Sequence, residues 1–298
     1  MTDQGDHAGR FPSARADARA SHWAETTPQT RSPSYRLAFD DPQFLLRDEL
    51  RPVRLQLELL KPELIQQEEG IRSTVVIFGG SRIPDAATAA SRLAEAERAA
   101  AREPDDPMIG HQVAIARRVL AKSRYYDEAC RLAELITAEC QGTDGCEMVV
   151  VTGGGPGIME AANRGAQNAG GKSIGLNIVL PHEQHPNHYI TPRLSFQFHY
   201  FALRKMHFLL RARALVAFPG GFGTLDELFE TLTLIQTRKV APLPVLLFGQ
   251  EYWTRIIDFP ALVEEGAIDA ADLDLFDYVE TAEEAWRLIR EFHERAAV

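Results

Sequence analysis

A glycine turn between a short apolar run and a helix most limits how this chain can fold. The turn is Pro-Gly-Gly-Phe-Gly-Thr at residues 219–224, and the run before it, residues 214–218, contains no polar side chain. A run this short and continuous is typical of a strand that is buried on both faces of a parallel sheet. The turn therefore lies at the carboxyl end of a strand, where open α/β sheets bind their ligands.

The same order of strand, turn and helix occurs at two other places. Residues 147–152 precede Gly-Gly-Gly-Pro-Gly at 153–157, and residues 73–78 precede Gly-Gly-Ser at 79–81. Further strands are predicted at 172–179, 194–198 and 245–248, with helices between them. This alternation predicts an α/β fold with a Rossmann-like doubly wound parallel sheet in a three-layer α/β/α sandwich.

Composition divides the chain into three parts. Residues 1–40 are rich in Ser, Thr, Pro, Ala, Asp and Arg without an apolar period, which predicts a disordered tail. Residues 41–70 alternate apolar and charged side chains, which predicts a helical extension packed on the domain or on a second subunit. Residues 71–298 form the predicted Rossmann-like domain, with a helical insertion at about 85–141.

Charge and hydropathy exclude several classes of partner. The formal net charge of −10 argues against sequence-independent binding to nucleic acid or to an anionic membrane. No apolar run approaches the length of a membrane span, and the amino terminus lacks the apolar core of a signal peptide. Three cysteines without C-x-x-C spacing predict reduced thiols rather than a disulfide framework or a zinc site. We therefore expect a cytoplasmic protein.

The glycine turns predict a phosphate site. Glycine lets backbone N–H groups approach an anion, and the positive end of the following helix points to the same place. Neither of the turns at 153–157 and 219–224 fits the Gly-x-Gly-x-x-Gly pattern of dinucleotide sites. Gly-Lys-Ser at 171–173 lacks the leading glycine and the strand-to-helix order of a P-loop. The three histidines at 182–188 lie in a proline-containing loop with the wrong spacing for a metalloprotease, so no metal site is predicted.

Two acids follow the turn at 219–224 after one intervening residue, Leu225. Asp226 and Glu227 would repel a phosphate unless they act on another part of the ligand. The pairing indicates a nucleotide that is held by its phosphate and attacked at its sugar. Cleavage of a glycosidic bond develops positive charge on the ribose, which a carboxylate such as Glu227 can stabilise. Arg204 and Lys205, on the preceding helix, place cations near the same crevice.

Together these motifs resemble the Lonely Guy family, the cytokinin riboside 5′-monophosphate phosphoribohydrolases once labelled lysine decarboxylases. The resemblance extends from about residue 73 to about residue 248. It rests on Pro-Gly-Gly-x-Gly-Thr-x-x-Glu at 219–227, the Arg204-Lys205 pair, the triple glycine and the turn at 79–81. It implies hydrolysis of the N-glycosidic bond of AMP or an N6-modified AMP to free base and ribose 5-phosphate. The tail, extension and insertion resemble longer bacterial members described as AMP nucleosidases.

The resemblance also implies which residues form the site. Arg204 and Glu227 are the implied catalytic pair, and Asp226 stands where many members have a second glutamate. The implied substrate-binding residues are Gly79, Ser81, Gly153, Gly154, Gly155, Glu183, Lys205, Gly220, Gly221, Gly223, Thr224, Asp226 and Thr233. No metal or organic cofactor is implied, the partner is a small nucleoside monophosphate, and the expected assembly is a homodimer or a higher homo-oligomer.

Two other functions are left open at this stage. Molybdenum-cofactor carrier proteins resemble this fold, so a non-enzymatic nucleotide or molybdenum-cofactor carrier or sensor is the alternative. The presence of both Arg204 and Glu227 favours the enzyme. A pyridoxal-dependent decarboxylase is a more distant alternative, because only Lys205 indicates such a site.

Overall fold

The computed structural model describes residues 12–21, 26–142, 147–181 and 185–296. The chain divides into two compact units, residues 1–58 and 59–298. In the first unit, helix α1 (Ala14–Ser21) lies in the stretch predicted to be a tail, and none of its residues is buried. Helix α2 (Pro42–Leu45) begins after Asp41, whose carboxylate accepts hydrogen bonds from the backbone N–H groups of Gln43 and Phe44.

The second unit contains one sheet of seven parallel strands. The strands are β1 (Ser73–Phe78), β2 (Met148–Thr152), β3 (Ser173–Ile178), β4 (Ser195–Phe198), β5 (Ala212–Ala217), β6 (Val245–Phe248) and β7 (Asp277–Val279). Their order across the sheet is β4-β3-β2-β1-β5-β6-β7. The chain thus runs outward from β1 to one edge and then from β5 to the other. This is the doubly wound order, and the predicted fold class is confirmed.

Helices connect the strands and cover both faces of the sheet. They are α3 (Arg51–Glu68), α4 (Ala86–Arg102), α5 (Pro107–Lys122), α6 (Arg124–Cys140), α7 (Ile158–Asn168), α8 (Phe201–Leu209), α9 (Phe222–Gln236), α10 (Gln250–Ile256), α11 (Phe259–Glu264) and α12 (Ala282–Ala296). Helix α3 lies within the stretch at 41–70, whose role as an extension stays a prediction, and it contains the division between the two units.

Alternate side chains of each strand enter two separate hydrophobic cores. In β1, Val75 belongs to the core that α6, α7 and α12 cover, whereas Val76 belongs to the core under α8, α9 and α10. Both side chains are fully buried. A strand with two buried faces reads as a continuous apolar run, which is why these strands could be found in the sequence. The sheet is the middle layer of three.

The stretch predicted as a helical insertion, at about 85–141, contains the three helices α4, α5 and α6. Helix α5 begins at Pro107, where the side chain of Asp106 accepts a hydrogen bond from the Met108 N–H. A second break, at Ser123, separates α5 from α6. Eight residues of α6 are buried, so this helix is part of the core.

Two features differ from the sequence-based expectations. Strand β7 was not predicted, because its three residues, Asp277–Val279, carry too short an apolar signal. Cys140 is disulfide-bonded, so the prediction of reduced thiols is wrong for this residue. Cys130 is a free cysteine.

Candidate functional site

The carboxyl ends of β1, β2 and β5 surround one cavity of about 1000 Å³. Because β1 lies between β2 and β5, the three small-residue turns meet at one edge of the sheet. The cavity is lined by Gly79, Gly80, Ser81, Arg82, Gly153, Gly155, Asn177, Arg204, Gly220, Gly221, Gly223, Thr224, Glu227 and Tyr252, among others. Most of the predicted site residues are therefore brought together.

The turn after β1 touches both of the other turns. The Gly80 N–H donates to the Pro219 carbonyl at 2.9 Å, and the Ile158 N–H donates to the Gly80 carbonyl at 3.3 Å. Gly157 has a φ of +72°, and a Cβ at this position would lie 2.5 Å from the Gly80 carbonyl oxygen. Only glycine fits there without displacing the neighbouring turn.

A buried network of amides supports the turn after β2. The Asn187 side chain donates to the carbonyls of Gly154 and Gly155, both at 3.1 Å, and to the Asn163 side chain at 3.0 Å. The Thr152 hydroxyl donates to the same Asn163 oxygen at 2.7 Å. These bonds satisfy buried polar groups and fix the backbone that faces the cavity.

The amino terminus of α9 faces the cavity across the turn after β5. Gly221 precedes the helix, and no side chain caps it. Its first N–H groups therefore present a positive end to the cavity, as anion sites do. Thr224 is buried in this first turn, and the Tyr252 hydroxyl donates a hydrogen bond to the Gly220 carbonyl.

The guanidinium of Arg204 lies over the turn after β2. Its Nε donates to the Leu176 carbonyl at 2.7 Å, which fixes the side chain against β3. A Cβ at Gly153 would lie 2.6 Å from an Arg204 guanidinium nitrogen. The absence of a side chain at Gly153 thus gives Arg204 its place in the cavity.

Glu227 is a buried carboxylate at the second turn of α9. Its side chain is 8% exposed, and one of its oxygens lies 3.8 Å from a guanidinium nitrogen of Arg204. Burial raises the pKa of Glu227 to about 7, against the opposing charges of Arg204 and Lys205. Such a group changes its protonation near neutral pH, as acids and bases in active sites do.

Lys205 and Asp226 pair with each other beside the cavity. The Lys205 ammonium lies 2.8 Å from Asp226 and 3.2 Å from Glu230. Neither Lys205 nor Asp226 lines the cavity in this structure. The pair links α8 to α9 close to Arg204 and Glu227, and the role of both residues in binding stays a prediction.

Three further predicted residues lie apart from the cavity or outside the described chain. Gly154 has a φ of +76° and faces the Asn177 side chain. Thr233 is exposed on α9, and its hydroxyl donates to the Phe229 carbonyl. Glu183 lies outside the described residues. The assignment of these residues to the site therefore stays a prediction.

Sequence reasoning missed Arg82, Lys122, Asn177 and Tyr252, which also line the cavity. The sequence did contain a signal for Tyr252. Gly249, with a φ of +85°, lies between β6 and α10, and a glycine between a strand and a helix is the pattern that identified the other turns. No local signal existed for Lys122, which reaches the cavity only through the packing of the insertion. Among the described lining residues, three are cationic (Arg82, Lys122 and Arg204) and one, Glu227, is acidic. The cavity thus attracts anions although the net charge of the chain is −10.

Within the described ranges, no group of three or more His, Cys, Asp or Glu side chains is arranged to hold a metal ion. No helix in those ranges has the length and apolar character needed to cross a bilayer.

Residues 159–289 match the family model described as "Possible lysine decarboxylase". A cytokinin riboside 5′-monophosphate phosphoribohydrolase of Arabidopsis thaliana is 29% identical over 59% of this chain and 80% of its own. The chain resembles the Lonely Guy family. A second relative with this activity in its name, a probable phosphoribohydrolase of Oryza sativa subsp. japonica, is 30% identical over 46% of this chain and 60% of its own. The Lonely Guy resemblance indicated by the motifs is thus confirmed.

Solved structures that match this chain include an X-ray structure from a structural genomics consortium. It is 21% identical, covers 74% of this chain and 99% of its own, and has a TM-score of 0.45. A molybdenum cofactor carrier protein from Chlamydomonas reinhardtii is 17% identical over 74% of this chain and 97% of its own, with a TM-score of 0.43. Neither likeness bears on the function of this chain.

Proposed function

We propose that this protein hydrolyses the N-glycosidic bond of a nucleoside 5′-monophosphate, releasing the free base and ribose 5-phosphate. The observation that carries the proposal is the buried Glu227 carboxylate, 3.8 Å from Arg204, in a cavity that also receives the amino terminus of α9. An anion site and a carboxylate of raised pKa in one cavity suit a substrate that is a phosphate at one end and a reacting sugar at the other. The names of the relatives support the same reaction.

The reaction needs only water as co-substrate. The bond between ribose C1′ and the base nitrogen breaks, its electron pair leaves with the base, and positive charge develops on the ribose ring. Ionised Glu227 stabilises this charge and accepts a proton from the water that adds to C1′. The proton that Glu227 takes from water passes to the base nitrogen, directly or through solvent, so the products are neutral base and ribose 5-phosphate and Glu227 is ionised again.

Arg204 has two roles in this proposal. Its guanidinium lies beside Glu227 and favours the ionised carboxylate that the reaction needs. It also offers hydrogen-bond donors to the phosphate or to the departing base. The turns after β1, β2 and β5 hold the phosphate, so that the sugar meets Glu227.

We propose a purine, as in AMP or an N6-modified AMP, for the base. Apolar side chains at the cavity mouth, including Leu180, Phe201 and Phe222, offer surfaces for a planar ring. Phe222 is 92% exposed, so it is available for stacking.

The test is a panel of purine, pyrimidine and N6-modified nucleoside monophosphates, with the released base identified by chromatography. We expect release from AMP or an N6-modified AMP, and loss of turnover in Glu227→Gln with nucleotide binding retained. Glu264→Gln, which removes an exposed carboxylate on α11, is the matched control and should retain turnover. No release from any nucleotide would refute the proposal, and binding without release would support the carrier function instead.

We also expect the protein to form a homodimer or a higher homo-oligomer. Helix α8 exposes large apolar side chains next to the site, among them Phe201 (50%) and Met206 (46%). Sedimentation of the purified chain measures the assembly, and a monomer at micromolar concentration would contradict the expectation.

A further inference from the structure

The insertion contributes a cation to the cavity. Helix α5, the middle helix of the insertion, places Val119 and Lys122 on the cavity wall. The residues matched by the family model are 159–289, so they include no part of this helix. Lys122 is thus a lining residue that the insertion supplies and that the matched residues do not include.

Lys122 has no anionic partner in the part of the chain that the structure describes. The charged groups that act on its ammonium are Arg118 and Arg255, which are both cations. Burial lowers the pKa of Lys122, and the two arginines lower it further. A partly buried ammonium among like charges is unfavourable until an anion comes to it.

Lys122 also lies next to the turn that follows β5. Its Nζ lies 5.4 Å from the centre of the Tyr252 ring and makes a cation–π contact with it. The Tyr252 hydroxyl in turn donates to the carbonyl of Gly220. The ammonium thus shares the cavity with the uncapped amino terminus of α9.

We propose that Lys122 binds the 5′-phosphate of the substrate, which it clamps from the insertion side against the turn after β5. The identity of the ligand as a nucleotide rests on the proposed function, whereas the binding of a phosphate monoester by Lys122 does not. The dianionic group supplies the counter-charge that Lys122 lacks, and Lys122 supplies a charge-assisted hydrogen bond. Lys122 is a binding residue in this account and takes no part in bond cleavage.

The test compares calorimetric binding of ribose 5-phosphate, AMP and adenosine to the full chain with and without Lys122→Gln. AMP is measured in a Glu227→Gln background, so that it is not hydrolysed during the titration. We expect Lys122→Gln to weaken binding of AMP and of ribose 5-phosphate about 10- to 100-fold, and to leave adenosine binding within about twofold. Lys122→Arg, which keeps the charge, should recover part of the loss. Arg117→Gln is the matched control, because it removes one charge from the exposed side of the same helix.

The outcomes separate this inference from the proposed function. Equal weakening of AMP and adenosine, or no weakening of either, would overturn the role of Lys122, as would a wild-type chain that binds no phosphate monoester. Lys122→Gln could lose affinity for ribose 5-phosphate although the wild type releases no base from any nucleotide. That result would support the role of Lys122 and refute the proposed hydrolase function. In a working hydrolase, the variant should raise KM for AMP by a similar factor with a smaller change in kcat. Circular dichroism and a melting temperature within a few degrees of wild type confirm that the variant is folded.

Discussion

Glu227 is buried, so its ionised carboxylate is poorly solvated, and this poor solvation favours the proposed chemistry. The residue is 6% exposed, and its pKa is raised to about 7 chiefly by burial. A carboxylate that is poorly solvated interacts more strongly with a developing positive charge than one in water. Arg204 keeps the ionised form accessible at neutral pH.

The protonation of Glu227 sets the expected pH dependence of turnover. If the ionised carboxylate is the reactive form, kcat should rise about tenfold per pH unit below pH 7 and level off above it. A pH profile of base release between pH 5.5 and 8.5 measures this. A profile that falls through pH 7 as pH rises would instead assign the reactive form to the protonated acid.

The same pKa shift predicts that ionising Glu227, which the proposed reaction needs, lowers the stability of the folded chain. The folded-state pKa of Glu227 is raised from 4.5 to about 7, so between these values the folded chain keeps a proton that the unfolded chain has released. The free energy of unfolding therefore falls as pH rises through this window, by up to about 3 kcal/mol. Glu227→Gln removes the titration and should be more stable than wild type at pH 8.

Urea unfolding at two pH values checks this expectation. The stability advantage of Glu227→Gln should be largest at pH 8 and shrink as the pH approaches 4.5. Glu264→Gln, in which an exposed carboxylate is changed, should show no such dependence. An advantage that is equal at both values would contradict the account.

At the scale of elements, the turns differ in what their glycines do. Gly157 has a φ of +72°, and its missing side chain leaves room for the Gly80 carbonyl. Gly170 has a φ of +76° at the end of α7, but a Cβ there would meet nothing within 4 Å. The two positions share a backbone constraint and differ in steric contact.

This difference predicts unequal effects of the same substitution. Gly170→Ala should cost about 1 kcal/mol, because only the backbone is strained. Gly157→Ala should cost about 3 kcal/mol or more and lower kcat/KM, because the turn after β1 must move. Thermal unfolding and base release measure the two effects, and equal effects of the two variants would contradict the steric argument.

The elements also show what a sequence reveals and what it conceals. Strands β1, β2 and β5 are apolar on both faces and end in small-residue turns, so their positions and a common crevice could be predicted. Strand β7 is three residues long, and it is defined by its parallel pairing with β6 rather than by a pattern of its own. The approach of Lys122 depends on how α5 packs, which no local pattern encodes.

At the scale of the second unit, the carboxy-terminal helix is part of the core. Trp286 of α12 is 4% exposed, packs in the core that α6 and α7 share, and donates from its indole N–H to Glu139 at 2.7 Å. It does not line the cavity. Its contribution is therefore to stability rather than to the site.

Substitutions at Trp286 should separate these two properties. Trp286→Ala should lower the free energy of unfolding by about 3–5 kcal/mol, and Trp286→Phe, which keeps most of the packing, by about 1–2 kcal/mol. Below the unfolding transition, kcat and KM should stay close to those of wild type. A fall in kcat of the folded Trp286→Phe protein would contradict the separation.

The meeting of three turns at the ends of β1, β2 and β5 has a consequence for how the chain acquires its activity. The turns are far apart in the sequence, and the central pair joins residues 73–78 to residues 212–217. Contacts between residues so far apart in sequence form late, because closing a long loop costs entropy before the contacts stabilise the chain. Helices can form earlier, since their hydrogen bonds are local. A refolding chain should thus recover its helical signal before it can release any base, and turnover becomes a measure of the moment at which the middle of the sheet is complete.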